Sequence, residues 1–168
     1  IKLNILKIKN CRSCKSKLLT KLYSLGSQYL TGIFPPKKNT KISRGNLTMV
    51  ICNKCKLLQL EQNFDAKEMY GDNYGYMSSL NKSMISHLHL KALNLKKKYK
   101  LINNKSILDI GSNDGTFLSF FNKKLNLFGC DPTIKKFSKY YRKDIIKISN
   151  FFSSNLFDKK KFDLITSI

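Results

Sequence analysis

Acidic residues are scarce in this chain: 10 Asp and Glu stand against 32 Lys and Arg, leaving a formal charge of +22 over 168 residues. Such an imbalance can mark a protein that grips polyanions. The cations, however, are spread along the whole chain among many Asn and Ile, and no compact Arg-rich patch interleaved with aromatics accompanies them. The composition therefore argues against nucleic acid as the partner, while some positive charge remains to help hold a diphosphate-bearing substrate. Long apolar runs are missing as well. No stretch is long and apolar enough to span a bilayer, so no membrane partner is expected. Ile1 to Asn10 alternate apolar residues with lysines and lack the unbroken apolar core of a signal peptide. With nothing to direct export, a cytoplasmic, reducing setting is the default, and there paired cysteines read as metal ligands rather than disulfides. An initiating Met is absent and the chain stops at Ile168 inside an apolar run, so the sequence reads as a fragment.

The length allows one sizeable core plus a small module stapled by a metal. Residues 1–77 read as that module: two Cys pairs, Gly26, Gly32, Pro35-Pro36 and Gly45 give it a loop-rich composition that a large core would not hold together. Residues 78–104 read as a linker helix, with Leu80, Met84, Leu88, Ala92, Leu95 and Tyr99 on one stripe. Residues 105–168 alternate short strand and helix patterns. Strands are predicted at Ser106–Ile110, Leu125–Cys130, Ile145–Ile148 and Phe162–Ile168, and helices at Phe117–Lys123 and Ile134–Tyr141. This alternation implies the α/β class: a parallel, doubly wound, Rossmann-like sheet, incomplete at four strands and preceded by the small zinc-binding domain.

Cys11-Arg12-Ser13-Cys14 and Cys52-Asn53-Lys54-Cys55 form two C-x-x-C knuckles, a spacing that lets both thiolates of each pair reach one ion tetrahedrally. Four thiolates with no further candidate nearby predict a closed, structural Zn2+ site. A redox C-x-x-C would open a helix in a thioredoxin-like unit, and that context is missing. The stretch between Cys14 and Cys52 exceeds the usual zinc-ribbon gap of about 15–20 residues, so it should carry structure of its own. Cys130, on a predicted strand, reads as a small buried apolar residue.

Ile107 to Gly115 reads as a strand running into a turn and then a helix, with Gly111 and Gly115 at the turn, where backbone can approach a ligand closely. A dinucleotide fingerprint would need Gly at 113 and 116, but Asn113 and Thr116 stand there, which disfavours NAD. Asp131 follows Gly111 by about 20 residues, at the end of the next predicted strand, where a carboxylate can accept both hydroxyls of a ribose. One adenosine-containing ligand can thus touch both elements.

These segments together resemble the sugar-nucleotide C-methyltransferase family, which joins an N-terminal four-cysteine zinc domain to a class I methyltransferase domain dependent on S-adenosyl-L-methionine. The resemblance is carried by the two knuckles with Lys56-Leu57-Leu58-Gln59-Leu60, by Leu25-Gly26 and Gln28 to Gly32, by Tyr70-Gly71-Asp72-Asn73-Tyr74-Gly75-Tyr76, by Asp109 to Thr116, and by Gly129 to Pro132. It implies a cofactor set of Asp109, Gly111, Ser112, Asn113, Gly115, Asp131, Pro132, Asn150 and Phe151. Gly111 and its neighbours would hold the methionine part, Asp131 the ribose, and Asn150-Phe151-Phe152 would lie near the adenine. Tyr70, Tyr74, Tyr76 and His87 become candidates beside a nucleotide-sugar substrate, with Tyr74, Tyr76 and His87 carried forward as catalytic candidates. His89, off the helical stripe, reads as solvated. The main acid-base residues of the family follow the fourth strand, beyond Ile168. Lys56 replaces a Gly that the family's second knuckle often carries. The function expected is methylation of a ring carbon of a nucleotide-linked keto-deoxysugar, with the fragment alone inactive. The rival is a zinc-containing nucleic-acid-binding protein or RNA methyltransferase.

Overall fold

The computed structural model describes residues 6–30, 37–39, 41–71 and 74–168. Thr31, Gly32, Pro35, Pro36, Asp72 and Asn73, which figure in the sequence reading, lie outside them. The chain divides into two compact units, Ile1–Gly75 and Tyr76–Ile168.

In the first unit the stretch between the knuckles is a long antiparallel hairpin. Strand β1 (Leu6–Lys7) precedes it, and β2 (Leu19–Tyr29) and β3 (Arg44–Cys52) form it. Strand β4 (Leu58–Leu60) adds to the free side of β3, giving the order β2-β3-β4, while β5 (Gln62–Asn63) pairs with β1. The β2–β3 register slips between Lys21 and Tyr23 and again between Ser24 and Ser27. Gly26 lies in the second irregularity at φ 68°, the left-handed conformation glycine adopts without a steric penalty. Strand β3 alternates buried Gly45, Thr48, Val50 and Cys52 with more exposed neighbours, as a half-buried strand should. One turn of helix, α1 (Ala66–Met69), follows, capped by Asp65, whose carboxylate accepts the Lys67 N–H at 2.8 Å.

In the second unit, helix α2 spans Lys82–Lys98 after a 3-10 turn at Ser78–Leu80. Asn81 caps it by accepting the Ser83 N–H at 2.9 Å, and Lys96, Lys97 and Lys98 sit where the helix dipole favours cations. Leu88 and Ala92 of the predicted stripe are buried, and Met84 and Leu95 pack partly against the same core. The stripe ends outside that core: Leu80 and Tyr99 are exposed, because the first falls in the 3-10 turn and the second is the C-terminal cap.

Four parallel strands follow: β6 (Ser106–Ile110), β7 (Asn126–Cys130), β8 (Ile146–Ile148) and β9 (Leu164–Ser167), in the order β8-β7-β6-β9. This is a mixed α/β unit with a parallel sheet, as the alternation predicts. The chain steps from β6 outward to β8 and then returns to the other side of β6, so the carboxyl end of β6 lies where strand order reverses. Ile107 and Leu127 face a core shared with α2, Phe117, Leu118, Phe121, Ile134 and Tyr141. Leu108, Phe128 and Cys130 face the other side, against Phe157 and Phe162. The crossover helices are shorter than predicted: α3 (Thr116–Ser119) and α4 (Ile134–Phe137) each make one turn, the second prolonged by a 3-10 turn at Ser138–Tyr140. The missing turns of α3 are explained by Asn122 and the two lysines after it, which form a polar turn leading into β7; Asn122 accepts the Lys124 N–H at 2.9 Å.

Candidate metal centre and ligand site

The N-terminal site is built by two tight turns. In the first, the Lys15 N–H returns to the Cys11 carbonyl at 3.0 Å; in the second, the Lys56 N–H returns to the Cys52 carbonyl at 2.8 Å. Both closing residues are left-handed, Lys15 at φ 60° and Lys56 at φ 62°. Lys56 thus keeps the turn that a glycine would make, at a steric cost of about 1–2 kcal/mol. The hairpin returns the chain so that Cys11 pairs with Cys55 and Cys14 with Cys52, each at 3.5 Å between sulfurs. All four sulfurs lie within 4.8 Å of one another. A tetrahedron of Zn–S bonds of about 2.3 Å has edges of about 3.8 Å, so the spacing fits the ion.

The electrostatics fit it too. Burial opposes ionisation of Cys11, yet the N–H groups of Cys14 and Ser13, the Gln59 amide and the Cys55 thiol bring it down to about 6. The Cys55 N–H outweighs burial at Cys52 and lowers that thiol. At Cys55 the Leu57 N–H pulls downward, but the contacts with Cys14, Cys11 and Cys52 together with burial push the thiol up to about 11. The set gives up its first protons readily and resists losing the last, because four thiolates this close need a cation among them.

The second site lies at the carboxyl ends of β6 and β7. Gly111 and Gly115 are left-handed, at φ 77° and 78°. A side chain built on Gly111 would meet open space, whereas on Gly115 it would strike the Tyr141 ring at 2.7 Å. At Gly129 an added Cβ would meet the Ser112 hydroxyl at 2.8 Å and the same Tyr141 ring at 3.0 Å, so Tyr141 and the Ser112 side chain it holds together require glycine there. Its hydroxyl donates to the Asn113 carbonyl at 2.9 Å and meets the Ser112 hydroxyl at 2.8 Å. Burial keeps this phenol well above its ordinary pKa, and hence protonated as the donor role needs.

Asp131 is buried, and its carboxylate ties the two strand ends together. Oδ2 accepts the Asn113 N–H at 2.9 Å, and Oδ1 accepts the Thr133 N–H at 2.7 Å and the Thr133 hydroxyl at 2.6 Å. Of roughly four acceptor positions on a carboxylate, three are therefore engaged. Pro132 is half-buried beside it. Asp109, in the middle of the sheet, is pushed up to about 7, chiefly by burial and further by Asp131, against the lowering effect of the Thr166 hydroxyl bond at 2.7 Å. Asn150 follows β8, and its carbonyl accepts from the Cys130 thiol at 3.5 Å, beside Asp131; Phe151 is partly exposed next to it.

The substrate-side candidates fall in different places. Tyr76 joins the glycine turn, because the Asn113 side chain donates to the Tyr76 carbonyl at 3.1 Å and accepts the Ser78 N–H at 3.0 Å, while Asp114 accepts the Ser79 N–H at 2.9 Å. Tyr74 belongs to the first unit, its ring 5.5 Å from that of Tyr70. His87 is exposed on α2, in a shallow depression with Leu90, Lys91, Asn94, Leu95 and Lys98 of the same helix. His89, read from the sequence as solvated, is exposed but stacks on Phe120 with centroids 4.8 Å apart. Tyr141, Thr166, Thr133 and Gln59 are site residues the sequence reading did not single out. Only Thr133 had a local signal: an Asp two residues ahead is the mark of a turn closed by its side chain. No helix among the described residues is long and apolar enough to cross a membrane.

Two paired-cysteine turns brought together by a hairpin, with four sulfurs within 4.8 Å of one another, form a cluster that could hold a metal ion. Residues 11–70 match the Methyltransf_13 family model, described as "Putative zinc binding domain", so the module is of a kind associated with methyltransferases. No curated protein matches the chain.

Purified under reducing conditions without chelator, the protein is expected to carry one zinc per chain by elemental analysis, and Cys52→Ser to carry none; a metal-free parent would contradict the site. A pH dependence follows from Asp109. Its folded pKa lies above the ordinary 3.8, so between that value and about 7 the folded chain holds a proton that the unfolded chain has released. Stability of the second unit therefore falls as pH rises through this window. Asp109→Asn, which keeps an acceptor for Thr166, should flatten this slope in urea unfolding measured across pH 4 to 8 (about the window of the two pKa values); an unchanged slope would refute the assignment.

Proposed function

We propose that this chain is the zinc domain and the opening half of a Rossmann-like, S-adenosyl-L-methionine-dependent methyltransferase domain, acting on a ring carbon of a nucleotide-linked keto-deoxysugar. The observation that carries the reading is the pairing of an open glycine turn after β6 with a buried carboxylate after β7, joined by the Asn113 N–H to Asp131 bond. The methyltransferase-associated zinc domain at residues 11–70 supports it independently. Zinc on Cys11, Cys14, Cys52 and Cys55 serves structure alone, since four thiolates leave no open coordination position.

The residues of the second unit suit the cofactor. The turn at Gly111 leaves space where the methionine part would lie, with Ser112 and Asn113 fixed behind it by Tyr141. Asp131 offers the ribose an acceptor, and the segment Asn150-Phe151 after β8 offers the adenine an exposed ring beside it. When bound, the cofactor supplies an electrophilic sulfonium methyl. Asn113 donates to the Tyr76 backbone carbonyl, which supports reading Tyr76 as a substrate-side residue next to this turn. Deprotonation of the carbon next to a ketone requires a general base, which the resemblance puts after the strand formed here by β9.

Titration calorimetry on a chain extended to the full methyltransferase domain ranks three variants. Asp131→Ala removes a charged acceptor and the anchor of the Asn113 N–H; at about 1.5–3 kcal/mol per charged hydrogen bond, cofactor binding should weaken on the order of ten- to a hundredfold or more. Gly111→Val should do at least as much harm, since a branched residue strains a left-handed turn and fills the open space. Cys130→Ala should change little. Full binding by Asp131→Ala together with loss in Cys130→Ala would mean the cofactor site is elsewhere.

A further inference from the structure

We infer that Gln59 is a positioning residue for the metal ligand Cys11, its amide aimed at the sulfur by Arg12; the inference rests on the zinc reading of the four cysteines. Gln59 comes from β4, a strand outside both knuckles, yet its side chain is buried and its Nε2 donates to Cys11 Sγ at 3.3 Å. The orientation is fixed by donor chemistry. Gln59 Oε1 lies 3.1 Å from the Arg12 backbone nitrogen and 3.3 Å from its Nη1. Both Arg12 groups can only donate, so the amide oxygen must face them and the NH2 must face the sulfur.

Arg12 is itself held in place. Its guanidinium also donates to the Leu60 carbonyl, to the Gln62 carbonyl at 3.2 Å and to Asn63 Oδ1 at 2.6 Å. One residue of the first knuckle thus grips β4 and β5 and sets the face that Gln59 turns to Cys11. Zinc with four thiolates carries a net double negative charge, and every N–H directed at a sulfur disperses part of it. The other N–H groups acting on Cys11 belong to the backbone of Ser13 and Cys14, and Gln59 supplies a side-chain amide that substitution can remove.

The test uses the whole chain, with Co2+ as a spectroscopic probe and a chelator competing for Zn2+. Gln59→Leu should weaken zinc binding about 10- to 100-fold, the usual effect of losing a partner of a metal ligand, and shift the thiolate-to-cobalt charge-transfer band. Gln59→Glu keeps acceptors for Arg12 but turns an oxygen toward the thiolate, so it should weaken binding at least as much. An unchanged band and unchanged affinity in Gln59→Leu overturn the inference. If that variant does not fold, an unchanged band in Gln59→Glu overturns it equally. A parent that takes up neither metal refutes the zinc reading itself, a result distinct from a parent that binds metal indifferently to residue 59.

Discussion

Four sulfur atoms converging within 4.8 Å are the constraint on which the first unit depends. Its described residues bury few apolar side chains: Leu30 and Val50 join Cys11 and Cys52, while Thr48, Gln59 and Gln62 are buried polar groups. Leu22, Tyr23, Leu25 and Tyr29 of the long β2 strand are exposed. So small an apolar core does not hold a unit of this size by itself. Metal binding supplies what the core does not, because in modules of this kind the free energy of binding the ion is also free energy of folding. The polar interior follows from the same constraint. Gln62 accepts the Thr48 N–H at 3.2 Å and Gln59 donates to Cys11 Sγ, so the buried amides of this unit are satisfied by hydrogen bonds.

The second unit is organised differently, around a parallel sheet with a core on each face. Here polar groups are concentrated at the carboxyl ends of the strands. The Asn113 N–H to Asp131 bond joins β6 to β7, and Tyr141 supports the turn from beneath by occupying the space that Gly115 and Gly129 leave open. Every buried side-chain nitrogen and oxygen among the described residues has a partner. The polar groups at this end of the sheet are therefore held in place by one another, and the turn is open at Gly111, where an added side chain would meet nothing within 4 Å.

Much of this was legible in the sequence because it depends on short-range chemistry. Knuckle spacing reports which thiols can share an ion, and strand-length apolar runs alternating with helical ones report a parallel sheet. The lengths of α3 and α4 were not legible, since a single turn held by Phe117 and Leu118, or by Ile134 and Phe137, satisfies the core without the rest of the pattern. The strands between the knuckles were foreseen only as structure of some kind, because their exposed apolar residues obscure the period of two. The roles of Tyr141 and Gln59 were not legible for a different reason. Each acts on a residue distant in sequence, and nothing next to a tyrosine in a basic stretch or a glutamine after Leu-Leu announces which glycine or sulfur it will meet.

The central claim, that a metal on four cysteines organises the first unit while the sheet of the second stands on its own core, is tested most directly by amide hydrogen exchange with and without zinc. The account predicts that stripping the metal abolishes protection along β3, at Thr48 and Val50, and leaves Leu108 and Phe128 of β6 and β7 protected as before. Undiminished protection at Thr48 and Val50 in the metal-free protein would contradict it.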